Sequence, residues 1–315
     1  MPWVFRAPFP PLQKGGRGDL LASSVPFANK SPSIPLFQRG KDLSDASLGT
    51  PSLCVDDVAR PGVESRRAAA LVFATIALWA SLNVLPRAGG LVSIVGLAGI
   101  TAMASRLRVL PAVHLGLFCT IAGLLLAVPL GLPWLLPLLA ALGIYAFVVA
   151  RVPALRSSST WLRWGTSDDT VRWLVRATVI LSASALLLWY ELFHPDMQDV
   201  RKMIPPVSFW LLPVVGLLFA AVNAAVEEAA FRGIMMQALD DTIGAGAWSI
   251  FIQAAAFGIM HLHGFPRGGV GVALAFLYGL MLGYIRRRAR GMYAPWLAHV
   301  AADAVIFVIV LVLVR

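Results

Sequence analysis

The chain has 315 residues, of which 58% are hydrophobic and 13% charged, with a mean hydropathy of +0.77. A soluble domain carries about 25% charged residues, so this chain has too few to cover a water-facing surface. A soluble enzyme, a disordered protein and a disulfide scaffold are excluded. The remaining class is a polytopic membrane protein. The net charge of +10 then reads as loop charge rather than as a nucleic-acid footprint, and no nucleic-acid partner is expected.

Residues 1–66 are rich in Pro, Gly, Ser, Lys and Arg and hold no sustained apolar run. A short repeat runs through them, PLQKGGRGDL at 11–20 and PLFQRGKDL at 35–43. Such a segment buries too little surface to fold and is expected to be disordered. It lacks the apolar core of a signal peptide. Cys54 and Cys119 lie far apart, so no disulfide framework is expected.

From Ala68 onward the chain is a series of apolar runs: about 68–85, 89–104, 110–129, 133–150, 173–193, 207–238, 247–263, 268–285 and 292–314. A membrane helix needs about 20 apolar residues, and in lipid every run must be helical to satisfy its backbone. The spacing predicts an all-α, polytopic bundle of about eight or nine transmembrane helices behind a disordered N-terminal extension. Lys and Arg between the runs alternate in number. Counted from the N-terminus, alternate segments hold 19 of the 26 and the others five, with Arg176 and Arg232 inside runs. This alternation favours nine runs over eight and predicts a cytoplasmic N-terminus.

Ionisable residues inside the runs are the departure from this pattern. Glu227, Glu228 and Arg232 lie in the sixth run, His261 in the seventh, and His299 and Asp303 in the ninth. A charge at the centre of a membrane helix costs about 2.5–3.5 kcal/mol, so the four charged residues left unpaired would cost on the order of 10–14 kcal/mol. They must pair or line a wet cavity. Glu228 and Arg232, four apart, share a helix face and can pair, while Glu227 is turned by about 100° toward a different neighbour. His299 and Asp303 are also four apart. Glu227 lies about 18 Å and His261 about 22 Å from the turn at 240–246 by helical rise, so the two can sit at one level. His114, His194 and His263 are read as structural or loop residues.

Three motifs follow one another: Glu227-Glu228-x-x-x-Arg232, Phe257-x-x-x-His261 and His299-x-x-x-Asp303. In this order, over about residues 207–310, they resemble the CPBP family of intramembrane proteases, which includes the type II CAAX prenyl endopeptidases and the Abi-type homologues. The CAAX enzymes more often carry Asn at the position of Asp303. The resemblance implies accessory membrane helices over 67–206 and a catalytic core over 207–315. It implies an intramembrane endopeptidase acting on a membrane-associated protein or peptide, prenylated or not, beside membrane lipid. Buried Ser-His or Cys-His nucleophile pairs are absent from the text, so direct attack by water is the simpler chemistry. Glu227 is then the base and His261 holds the same water. Glu228 is held by Arg232, and His299 and Asp303 serve the oxyanion. A zinc ion on Glu227, His261 and His299 is also compatible with the residue types, the metal-free form being the preferred reading. Two other readings use the same residues: a proton-coupled transporter, against which no internal repeat is seen, and a scaffold without activity.

Overall fold

The computed structural model describes residues 63–128, 133–202, 204 and 206–312. The N-terminal extension up to residue 62, its repeat and Cys54 lie outside the described residues. Among the described residues every regular element is helical.

Helix α1 (Val63–Val84) starts inside the segment expected to lack structure, with Glu64 in its first turn, where a carboxylate favours a helix start. It is followed by α2 (Arg87–Arg106), α3 (Leu110–Ala127), α4 (Leu135–Arg151) and the short α5 (Pro153–Ser158). Next come α6 (Asp169–Phe193), capped by the Asp168 side chain accepting from the Val171 amide, and the short α7 (Gln198–Arg201). A single 3₁₀ turn precedes α8 (Leu212–Glu228). A π-helical segment, Ala229–Met235, continues α8 into α9 (Met236–Ile243) without a break. The chain closes with α10 (Ala247–Met260), α11 (Gly268–Ala289) and α12 (Tyr293–Val312).

Seven of these helical stretches are long and apolar enough to cross a membrane, α8 through α9 counting as one; α4 and α10 are apolar but shorter, at 17 and 14 residues. Each of the nine apolar runs thus contains a helix, and two of these helices fall short of the usual span length. Large apolar side chains such as Val92 and Ile180, 73% and 65% exposed, face outward. A water-soluble surface rarely carries so many, and a lipid-facing one requires them. The protein is an integral membrane protein.

One core joins α1 to α4 with the π segment, α9 and α10, through Trp79, Leu115, Phe118, Tyr145, Leu239 and Phe257. A second gathers α6, α11 and α12 around Val171, Leu282, Ile285 and Ala298. Helix α12 also packs along α8, where Ala220 and Ala224 meet Val300. Gly216 permits this approach: a methyl group there would lie 2.5 Å from the Phe307 ring. Small residues at such crossings let membrane helices come close without a hydrophobic driving force.

The connection between α5 and α6 forms a strap across one end of the bundle. The Thr160 amide donates to Gln237 Oε1 at 3.0 Å and the Thr166 amide to the Ala289 carbonyl at 2.8 Å. The Arg163 carbonyl accepts from the Met292 amide at 2.7 Å. Gly165, with φ +85°, lies where a side chain would strike Gly291 and Ala289, so only glycine suits both the conformation and the space. Arg287 joins the same end to α9 and its following turn, pairing with both oxygens of Asp240 at 2.8 and 2.9 Å. Two of the arginine-rich segments that the alternation assigns to one side, 151–172 and 286–291, therefore meet at one end of the bundle. At the opposite end, Trp189, Met197 and Phe265 pack together.

Candidate active site

The packing of α12 against α8 brings the two acidic pairs together. On α8, Asn223 and Glu227 are one turn apart and share a face, while Glu228 looks toward the π segment. Arg232 Nη1 donates to Glu228 Oε1 at 2.8 Å, and both side chains are buried. His299 from α12 reaches the same oxygen, its Nδ1 lying 2.7 Å away and donating to it. Glu228 thus receives a guanidinium from its own helix and an imidazole from its neighbour.

The other nitrogen of His299 faces the remaining carboxylates. Nε2 lies 3.5 Å from Glu227 Oε2 and 3.8 Å from Asp303 Oδ1. Asp303 is fixed from α8, where Asn223 Nδ2 donates to its Oδ2 at 2.9 Å. The expectation that Glu227 and Glu228 serve different neighbours is therefore corrected. The tight crossing of α12 lets one imidazole address both, with one nitrogen each. Glu227 is the more open of the two, 18% exposed against 1% for Glu228.

His261 ends α10 as its capping residue, so the seventh run stops being helical there, two residues short of His263. Its Nδ1–H donates to the Phe257 carbonyl at 2.9 Å, which leaves Nε2 with a free lone pair. The Phe257 ring is the common wall. It lies 4.6 Å from the His261 ring, 6.0 Å from the His299 ring and 4.3 Å from the Arg232 guanidinium carbon. His261 thus shares the wall of the cluster through Phe257.

Two residues complete the site without having been read from the sequence. Asn223 was detectable as an amide one turn before Glu227 in an otherwise apolar run. Tyr278, on α11, packs its ring 5.6 Å from His299 and donates to the Ala298 carbonyl at 3.1 Å. His114 proves structural: Nδ1 meets Tyr145 Oη at 2.8 Å and Nε2 meets Ser158 Oγ at 2.9 Å. His263 is exposed in the turn after α10.

A zinc ion on Glu227, His261 and His299 requires the three to converge as ligands. Among the described residues no group of three or more His, Cys, Asp or Glu has that arrangement. The residues as placed do not fit the ion, and no step below is routed through one.

Fold and site define an integral membrane helix bundle with a buried carboxylate–histidine–arginine cluster shared between neighbouring helices. Residues 208–305, about a third of the chain, match the family described as type II CAAX prenyl endopeptidase Rce1-like. The match runs from the start of the eighth helix into the twelfth and takes in all six ionisable residues of the cluster. No curated protein and no solved structure matches the chain.

Proposed function

We propose that the chain is an intramembrane endopeptidase that hydrolyses a peptide bond in a membrane-associated substrate, a CAAX-type C-terminus or a leader or anchor segment. Glu227 takes a proton from water as the oxygen attacks the scissile carbonyl carbon. His261 Nε2 accepts a hydrogen bond from the same water and orients it. The carbonyl oxygen, now an anion, accepts from His299, which Glu228 holds in place and Asp303 flanks. The carbon–nitrogen bond then breaks, and Glu227 returns its proton to the leaving amine. Arg232 positions Glu228 and through it His299.

The observation that carries this reading is His299 bonded to Glu228 at 2.7 Å while facing Glu227 at 3.5 Å. An imidazole set between two carboxylates of a neighbouring membrane helix serves acid–base work better than packing. The match to the Rce1-like family supports the same reaction class. The test is cleavage of a membrane-anchored reporter peptide by the purified protein. Glu227→Gln, nearly isosteric, is expected to lower the rate by about 10²–10⁴ with an unchanged unfolding midpoint. Cleavage at the parent rate by this variant would remove Glu227 from the mechanism.

A further inference from the structure

At the strap end of the bundle lies a cavity of about 270 Å³ that the proposed reaction does not use. Five arginines line it (Arg163, Arg232, Arg286, Arg287 and Arg290) against two acids, Asp240 and Asp241. The acids are already engaged. Asp240 holds Arg287 in a two-point pair, and Asp241 accepts from Gln237 Nε2 at 3.1 Å. Arg286 is turned aside, Nε toward Met292 Sδ at 3.1 Å and Nη2 toward the Trp161 carbonyl at 3.3 Å. Arg163 and Arg290 are exposed and have no carboxylate partner among the described residues.

The second observation is Arg232 itself. Its side chain is fully buried, one nitrogen goes to Glu228, and Nε and Nη2 have no hydrogen-bond partner. A buried guanidinium with two idle donors costs free energy, and a charged acceptor in the adjoining cavity removes that cost. The positive potential of guanidiniums crowded around one cavity likewise favours a bound anion. Guanidinium forks match the tetrahedral oxygens of phosphate better than a point charge would.

We infer that the cavity between the strap, α9 and the end of α11 is a binding site for a phosphate-bearing anion, either the headgroup of an acidic phospholipid or free phosphate. The inference stands whether or not the chain hydrolyses peptides. Bound phosphate supplies acceptors for the Arg232 Nε and Nη2 that lack them.

The test uses the full-length protein in an uncharged detergent and reads the thermal unfolding midpoint. The ligands are inorganic phosphate and short-chain phosphatidylglycerol, with short-chain phosphatidylcholine as control. A saturable rise with phosphate or phosphatidylglycerol, and none with phosphatidylcholine, is expected. In Arg163→Gln/Arg290→Gln the half-saturating concentration should increase by about tenfold, as loss of charge-assisted bonds implies, and Arg163→Lys/Arg290→Lys should recover part of it. The single Gln variants should fall between, which keeps the test open if the double variant does not fold. Saturation by phosphatidylglycerol at a lower concentration than phosphate assigns the site to lipid; equal saturation assigns it to the free ion. The proposal is overturned by no saturable response to either anion, or by equal response in the Gln variants. Tighter binding of an acetylated tripeptide, through its free carboxylate, would also overturn it in favour of a substrate subsite.

Discussion

Glu228 accepts from Arg232 and from His299 through the same oxygen, at 2.8 and 2.7 Å. Neither donor alone is replaceable there, because the carboxylate is buried and removing one partner leaves an uncompensated charge. Arg232→Ala is expected to destabilise the folded protein by roughly 3–5 kcal/mol. A thermal or denaturant unfolding series in detergent measures this, and a fall of less than about 1 kcal/mol would show the pair to be dispensable. The Glu228–Arg232 pair was readable from spacing alone, since four residues on any helix share a face. The Asn223–Asp303 bond was not: it depends on which helices touch, and hydrophobic periodicity carries no information on pairing between spans that are apolar all round. Glu227 and Glu228 converging on one imidazole escaped for the same reason, because a 100° turn separates two side chains only when the partner helix is too distant to meet both.

At the scale of elements, the seven-residue π segment between α8 and α9 lies directly after the glutamate pair. Wide turns of this kind occur mostly at functional sites, and here the turn carries Arg232 and Gly233. The apolar text of the sixth run predicts one continuous helix and is silent on where a turn widens. Gly233 seats the strap: a methyl group added there would lie 2.6 Å from Trp161 Cε3 and 2.8 Å from its Cδ2. An indole is rigid and cannot yield as a flexible side chain does. Gly233→Val should therefore lift Trp161 and cost about 1–3 kcal/mol, as overpacking does. Limited proteolysis between residues 157 and 168 gives the readout. Faster cutting in the variant than in the parent is expected, and equal rates would mean that Trp161 finds another seat.

For the whole molecule, the arginine alternation finds a physical counterpart. The strap bonds to Gln237 on α9, to Ala289 at the end of α11 and to Met292 in the turn after it, while Arg287 of α11 reaches Gly246 in the turn after α9, as segments on a single membrane side must. Chain order and charge made that grouping legible; the early end of α10 was not foreseen, because the run was read through to His263 while the helix stops at Met260 with His261 as its cap. From the positive-inside rule we propose that the strap end faces the cytoplasm. Single cysteines introduced at Ser167 and at Asp196 should react with a membrane-impermeant maleimide from opposite faces of oriented vesicles. Ser167 is expected to be labelled from the cytoplasmic face, and labelling of both from one face would contradict the grouping itself.

The strap also bears on what can be made as a separate piece. Its backbone donates to Gln237 on α9 and to Ala289 at the close of α11, while Gly233 takes in its indole. Helices α1 and α3 lean on α9 from the other side. A fragment cut at residue 207 would leave these sockets empty and an apolar flank bare. The first four spans thus serve as a clamp for the carboxylate-bearing half, and shortening the protein for production calls for trimming before Val63 rather than between the halves.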